Sequence, residues 1–232
     1  PLITKFSKED PKRPIFLLPG NHDPLISGSV YQAQHPFRRA LPKWVHVIDQ
    51  DGSEFEVAPG VVLYATPCRS QSGQEDPTLT LPARQPGDQR VRIGMAHGNT
   101  FTISGQQTDF PIAKDATARL GMDYLAIGDH HGYTLVSPAD SPPMVYPGTH
   151  EPLNYGESRP GHVVLVAIDR NRKAHLKPQR VSKWTWEEVT CKSLDQLRDL
   201  RDLGDRKSHV LSLSLDLFAN ATEYREVETI LS

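Results

Sequence analysis

Gly20-Asn21-His22-Asp23 stands two residues after the apolar run Ile15-Phe16-Leu17-Leu18. A strand ending this way can present a metal ligand and a catalytic imidazole side by side. The Asn21 amide oxygen suits a hard or borderline cation, and the neighbouring His22 can face a substrate phosphate. The same residues also favour a polar turn, since Asn, Asp and Pro bend the chain for local reasons.

Two further segments repeat the design. Val91-Arg92-Ile93-Gly94-Met95-Ala96 runs into His97-Gly98, and Tyr124-Leu125-Ala126-Ile127 runs into Gly128-Asp129-His130-His131-Gly132. Loops leaving a common rim of a sheet can bring such residues together from distant positions. Carboxylate, imidazole and amide oxygen are the donors a pair of divalent ions takes when it must bind phosphate oxygens and activate water.

The ordered set Gly-Asn-His-Asp, His97-Gly98 and Gly128-Asp129-His130-His131-Gly132 resembles the calcineurin-like metallophosphoesterase superfamily. Within it the chain is most similar to the SbcD-type DNA repair exonucleases. Tyr146-Pro147-Gly148-Thr149-His150-Glu151-Pro152, followed by the apolar run from Gly161 to Ile168, adds to the likeness. The match covers roughly residues 14 to 169. It implies an α/β fold, a four-layer αββα sandwich present in part. It also implies that Asn21, His97 and Asp129 ligate one metal and His131 the other, with His22 acting as an acid on the leaving group and Asp23 orienting it. His130 and His150 are expected to reach substrate. Two divalent ions, manganese by resemblance, are the implied cofactors. Position 129 departs from the commoner Gly-His-x-His pattern, although a carboxylate is a competent ligand.

The family's opening Asp-x-His and Gly-Asp-x-x-Asp motifs do not occur upstream of Asn21. A first strand with its ligands needs on the order of 70 more residues. The chain is therefore expected to be a fragment holding at most half a metal site, and Val227 to Ser232 reads as a second cut inside an apolar-periodic segment.

Charged residues make up 23% and hydrophobic residues 37% of the 232 positions, values ordinary for a globular domain. No apolar run approaches the roughly 20 residues needed to span a bilayer, so a cytoplasmic protein is expected. Cys68 and Cys191 are far apart and outside any Cys-x-x-Cys context, which indicates neither a disulfide framework nor a zinc ribbon.

The division expected is residues 1–183 as the C-terminal part of the catalytic domain and 184–232 as the beginning of a small α+β capping, DNA-binding domain. Asp115 to Leu120 reads as a helix end. In the second part Ser193 can cap a helix over Leu194 to Leu203 that Gly204 can end. Val210 to Leu217 alternates as a half-buried strand. Thr66 to Arg90, with Pro67, Pro77, Pro82 and Pro86, predicts a long surface loop without catalytic importance.

The formal net charge of −2 excludes a generally basic coat. Arg170, Arg172, Lys173, Lys177, Arg180 and Lys183 nonetheless form a stretch with no acid between them, suited either to DNA phosphates or to a solvated hairpin at a sheet edge. Arg38, Arg39 and Lys43 pose the same choice. Trp184 and Trp186 are expected to share one strand face and pack a domain interface. His35, His46, His162, His175 and His209 lack a ligand-like context and read as surface or interface residues.

The function this points to is metal-dependent hydrolysis of DNA phosphodiesters of the SbcD type, with metal-activated water attacking the phosphate. The alternatives are a phosphodiesterase or phosphatase on a nucleotide, another small phosphoester or a phosphoprotein, and a non-catalytic DNA-binding scaffold subunit. DNA, an SbcC-type coiled-coil ATPase and a second copy of the chain are the partners the resemblance implies, with no membrane contact.

Overall fold

The computed structural model describes residues 13–100, 109–202 and 206–231. Its centre is a six-stranded sheet ordered β3-β4-β5-β6-β8-β7, formed by β3 (Ser53–Ala58), β4 (Val61–Ala65), β5 (Val91–His97), β6 (Tyr124–Gly128), β7 (Thr134–Leu135) and β8 (Met144–Tyr146). Strands β4, β5, β6 and β8 run parallel, while β3 and β7 close the two edges antiparallel. The mostly buried runs in β4 and β8 are the pattern of strands covered on both faces. Because the four central strands share one direction, the loops after β5 and β6 leave the same rim.

Helix α2 (Ala116–Leu120) bears on this core; Ala116 packs with Leu125, Ile127 and Met144. Its sequence ends it cleanly, since Gly121 takes φ 60° and returns its N–H to the carbonyls of Thr117 and Ala118. The α/β class expected from the sequence holds, with few and short helices around the sheet, as in a metallophosphoesterase-type sandwich.

The strand expected at Ile15 forms as β1 (Ile15–Leu17), but it is not part of the six-stranded ladder. It pairs in parallel with β2 (Val45–Val47), which follows the short helix α1 (Pro36–Arg39). Strands β9 (His162–Ile168) and β10 (Ala174–Arg180) make an antiparallel hairpin, so Arg170, Arg172 and Lys173 sit at its turn. Beyond it, β11 (Thr185–Cys191) and β12 (His209–Leu215) pair in parallel across α3 (Leu194–Arg201). Helix α4 (Ala221–Leu231) adds Val227 to the small core of Cys191 and Leu197.

Ser193 caps α3 as expected, its hydroxyl accepting the Gln196 N–H at 3.3 Å. The helix ends at Arg201, and the expected stop at Gly204 lies outside the described residues. Burial along β12 does not alternate over its first five residues, all of which are half-buried.

Thr66 to Arg90 forms the expected surface loop, mostly exposed from Arg69 on and carrying only a 3-10 turn, Pro77–Thr80, but it is anchored to the core. Thr66, Cys68, Thr78 and Leu81 are buried, and the Arg84 guanidinium reaches Asp123 at 2.9 Å and the Gly121 carbonyl at 2.9 Å. Trp184 and Trp186 do not act as a pair. Trp184 precedes β11 and is exposed beside Lys183, whereas Trp186 packs on Tyr155 with ring centroids 5.0 Å apart.

Candidate metal centre

His97 is the last residue of β5, and its register partner Gly128 is the last of β6. The turn after β1 brings Asn21 to the same place. Asn21 Oδ1 lies 2.9 Å from His97 Nε2, and Asp129 Oδ1 lies 3.6 Å from that nitrogen. Three residues from three distant segments thus place an amide oxygen, an imidazole nitrogen and a carboxylate oxygen around one point.

Two glycines make room for the ring. A Cβ on Gly20 would stand 2.8 Å from His97 Cε1, and one on Gly128 would stand 2.7 Å from His97 Nδ1. Neither distance is tolerable, so the imidazole occupies a slot that only glycine on both sides leaves open. Asp129 sits at φ 120°, a backbone conformation rarely adopted by a side-chain-bearing residue and costing on the order of 1–3 kcal/mol. That strain falls on a residue whose carboxylate faces the imidazole.

His131 lies half-buried after β6, and its Nδ1 is 2.8 Å from Glu157 Oε1. Burial pulls the Glu157 carboxyl upward, but the Leu153 N–H, His131 and the Asn154 N–H together hold it below the ordinary range. An ionised carboxylate only accepts, so Nδ1 carries the hydrogen, and in the neutral ring this leaves the lone pair on Nε2. Metal-bound histidines are oriented in this way. Glu157 was not singled out in the sequence; a glutamate in a Gly-Ser-Arg-Pro-rich stretch carries no local signal of its partner 26 residues earlier.

His130 packs edge-on against Tyr146, ring centroids 5.6 Å apart. Tyr146 is fully buried; its hydroxyl donates to the Gly98 carbonyl at 2.7 Å and accepts the Thr100 N–H at 2.9 Å, fixing the loop after His97. Burial pushes its phenol up to about 12. The His150 loop is held against His131, with the Thr149 N–H donating to the His131 carbonyl at 2.8 Å, while His150 itself is exposed. His22 and Asp23 are both exposed beside Asn21, and no hydrogen bond joins them among the described residues.

Cys68 is a further residue that spacing could not reveal. Its N–H donates to the Pro19 carbonyl at 2.9 Å and its carbonyl accepts the Leu25 N–H at 2.8 Å, which clamps both ends of the Gly-Asn-His-Asp turn. Burial, with Asp129 adding to it, pushes the thiol up to about 12. It remains a protonated, structural thiol.

Among the described residues no group of three His, Cys, Asp or Glu side chains gathers to hold a metal. The trio at His97 contains two such residues, with the Asn21 amide oxygen third. This mixed nitrogen and oxygen set fits one borderline divalent ion. For a second ion the structure offers His131 with its oriented Nε2. A cavity of about 450 Å³ lies elsewhere, at the starts of β6 and β8, where Asp123 and Pro143 meet the β9–β10 turn.

No helix of the described residues is long and apolar enough to cross a membrane. No family model matches the chain. Over 106 residues, 46% of its length, the chain is 30% identical to the uncharacterized metallophosphoesterase YhaO of Bacillus subtilis (strain 168), a stretch that spans 26% of that protein.

Proposed function

We propose that the chain belongs to a metal-dependent phosphoester hydrolase that cleaves phosphodiester bonds in DNA, in the manner of the SbcD-type nucleases it resembles. The convergence of Asn21 Oδ1 and Asp129 Oδ1 on His97 Nε2 carries this reading, with the likeness to a metallophosphoesterase in support. Asn21, His97 and Asp129 would hold one divalent ion and His131 would contribute to another, manganese being what the resemblance implies. When bound, such ions draw charge from the phosphoryl oxygens and lower the pKa of water.

The chain's own residues do the rest. His22, exposed next to Asn21, passes a proton to the departing sugar oxygen. The Glu157 carboxylate keeps His131 in the tautomer that leaves Nε2 as a donor to a cation. Asp23 borders His22, and His130 and His150 flank the substrate. Residues 184–232 cap the site, and an SbcC-type coiled-coil ATPase, with a second copy of the chain, completes the working assembly in the cytoplasm.

The test is manganese-dependent hydrolysis of linear DNA beside bis-p-nitrophenyl phosphate, with and without Asn21→Ala. Cleavage of both substrates, lost in the variant, is expected. Cleavage of the small ester alone points to a small-phosphoester enzyme, and activity on neither points to a scaffold.

A further inference from the structure

Tyr146 is the last residue of β8 and is wholly buried, at the rim where β5 and β6 release His97 and Asp129. In the order β5-β6-β8 it stands two strands from His97, roughly 10 Å across by ordinary strand spacing. Its hydroxyl nevertheless reaches the loop after His97, donating to the Gly98 carbonyl at 2.7 Å and accepting the Thr100 N–H at 2.9 Å. Its ring meets His130, from the loop after β6, edge to face with centroids 5.6 Å apart, the geometry of a favourable aromatic pair. One side chain therefore touches both loops that carry the candidate metal donors.

The backbone of the His97 loop shows why a phenol is needed there. The Gly98 N–H donates to the Gly128 carbonyl at 3.1 Å, the Asn99 N–H to the Phe110 carbonyl at 3.0 Å, and the Asn99 carbonyl accepts the Ile112 N–H at 3.0 Å. The Gly98 carbonyl and the Thr100 N–H, both in buried residues, have no such backbone partner and turn to Tyr146 instead. A phenolic oxygen donates one hydrogen and accepts another, which satisfies a carbonyl and an N–H at once. Left unpaired away from water, each of these groups would carry its full desolvation cost. The loop is pinned from its opposite side as well, since a Cβ on Gly98 would strike the Phe110 carbonyl oxygen.

We propose that Tyr146 is a positioning residue for the metal centre: its phenol ties the segment after His97 to the segment after Asp129 and so fixes the spacing of the imidazole and carboxylate that would share a cation. It touches neither the cation nor the substrate and acts through the two loops. His97 Nε2 and Asp129 Oδ1 lie 3.6 Å apart but belong to different segments, and a metal site needs its donors held within about 0.5 Å of the productive geometry. The inference rests on the metal-centre reading and adds to it a residue that presents no donor of its own.

The test compares Tyr146→Phe, which keeps the ring against His130 and removes only the hydroxyl, with Tyr64→Phe. Tyr64 is also buried, its hydroxyl accepts from Arg90 at 3.1 Å and Arg92 at 3.2 Å, and it packs in a separate cluster with Val62, Leu81, Leu120 and Met122. Manganese titration, followed by loss of the free-ion paramagnetic signal, is expected to show an affinity about tenfold weaker in Tyr146→Phe. Tyr64→Phe should bind manganese as the parent does, whatever it costs in urea unfolding. In the metal-free protein, hydrogen exchange at the Thr100 amide should quicken at least about fivefold in Tyr146→Phe and stay unchanged in Tyr64→Phe.

Unchanged manganese affinity in Tyr146→Phe would overturn the proposal and leave the metal-centre reading standing. An equal loss of affinity in Tyr64→Phe would do the same, because it would trace the effect to general destabilisation. A parent chain that takes up no manganese sinks the metal-centre reading and the positioning role with it; faster exchange at Thr100 would then describe a strut and nothing more.

Discussion

His131 Nδ1 and Glu157 Oε1 lie 2.8 Å apart, which makes a residue that touches no cation a determinant of how His131 can bind one. Removing the carboxylate frees the imidazole to rotate and to change tautomer. Glu157→Ala is expected to weaken manganese binding about 10- to 100-fold, the usual effect of losing such a partner. Titration followed by the loss of the free-manganese paramagnetic signal checks this. Because Glu157 also accepts the Leu153 N–H, Glu157→Asp serves as the conservative control and should recover part of the affinity.

Gly128 owes its place to the imidazole beside it. A methyl group there would lie 2.7 Å from His97 Nδ1, so Gly128→Ala must push the ring away from Asn21 and Asp129. The expected result is at least a tenfold loss in metal affinity, with a stability cost of about 1–3 kcal/mol, the range for overfilling a packed site. Urea unfolding and metal titration on the same variant separate the two effects. Unchanged affinity would show that the ring has room the geometry denies it.

Local patterning made the elements around these residues legible before any coordinates. Ile15 to Leu17, Val91 to His97 and Tyr124 to Gly128 are short apolar runs that meet turn-forming residues, and a run of that length has few options besides a buried strand. That Asn21, His97 and Asp129 share a point was readable only as an expectation about strand ends. It comes about although β1 pairs outside the central sheet. The residues that sequence reading missed are those acting through long-range contacts. Glu157, Cys68 and Arg84 each sit in loops with no periodicity, and their partners are set by tertiary placement. Arg92 is a similar case: a buried cation within β5, stacked on Tyr64 at 4.3 Å and paired with Asp88, it is held by contacts that its local sequence does not specify.

The Glu151 carboxylate ties the loop after β8 to the start of β11. It accepts the Lys183 N–H at 2.9 Å and the Trp184 N–H at 3.0 Å, and these bonds, the Lys183 bond first, hold its carboxyl below the usual value. A group with a depressed folded pKa contributes stability that is complete above its unfolded value, near 4.5, and is lost as pH falls through the folded value. Glu151→Gln should therefore lower the melting temperature at pH 7 and have a much smaller effect near pH 3. A melting difference that stayed constant over that interval would assign the change to packing and not to the carboxylate.

His22 and His97 flank Asn21 in space but stand in different surroundings. His97 is enclosed by two glycines with Nε2 turned to two oxygens, whereas His22 is exposed and, among the described residues, makes no hydrogen bond to the trio. His97→Ala removes the proposed metal donor and should weaken manganese binding by at least tenfold. His22→Ala should leave manganese affinity within about twofold while lowering turnover about 10²- to 10⁴-fold, the range for losing a general acid. The turnover loss should be smaller on bis-p-nitrophenyl phosphate than on DNA, since nitrophenolate leaves without needing a proton. Equal loss of metal in both variants would place His22 among the ligands and remove the acid from the mechanism.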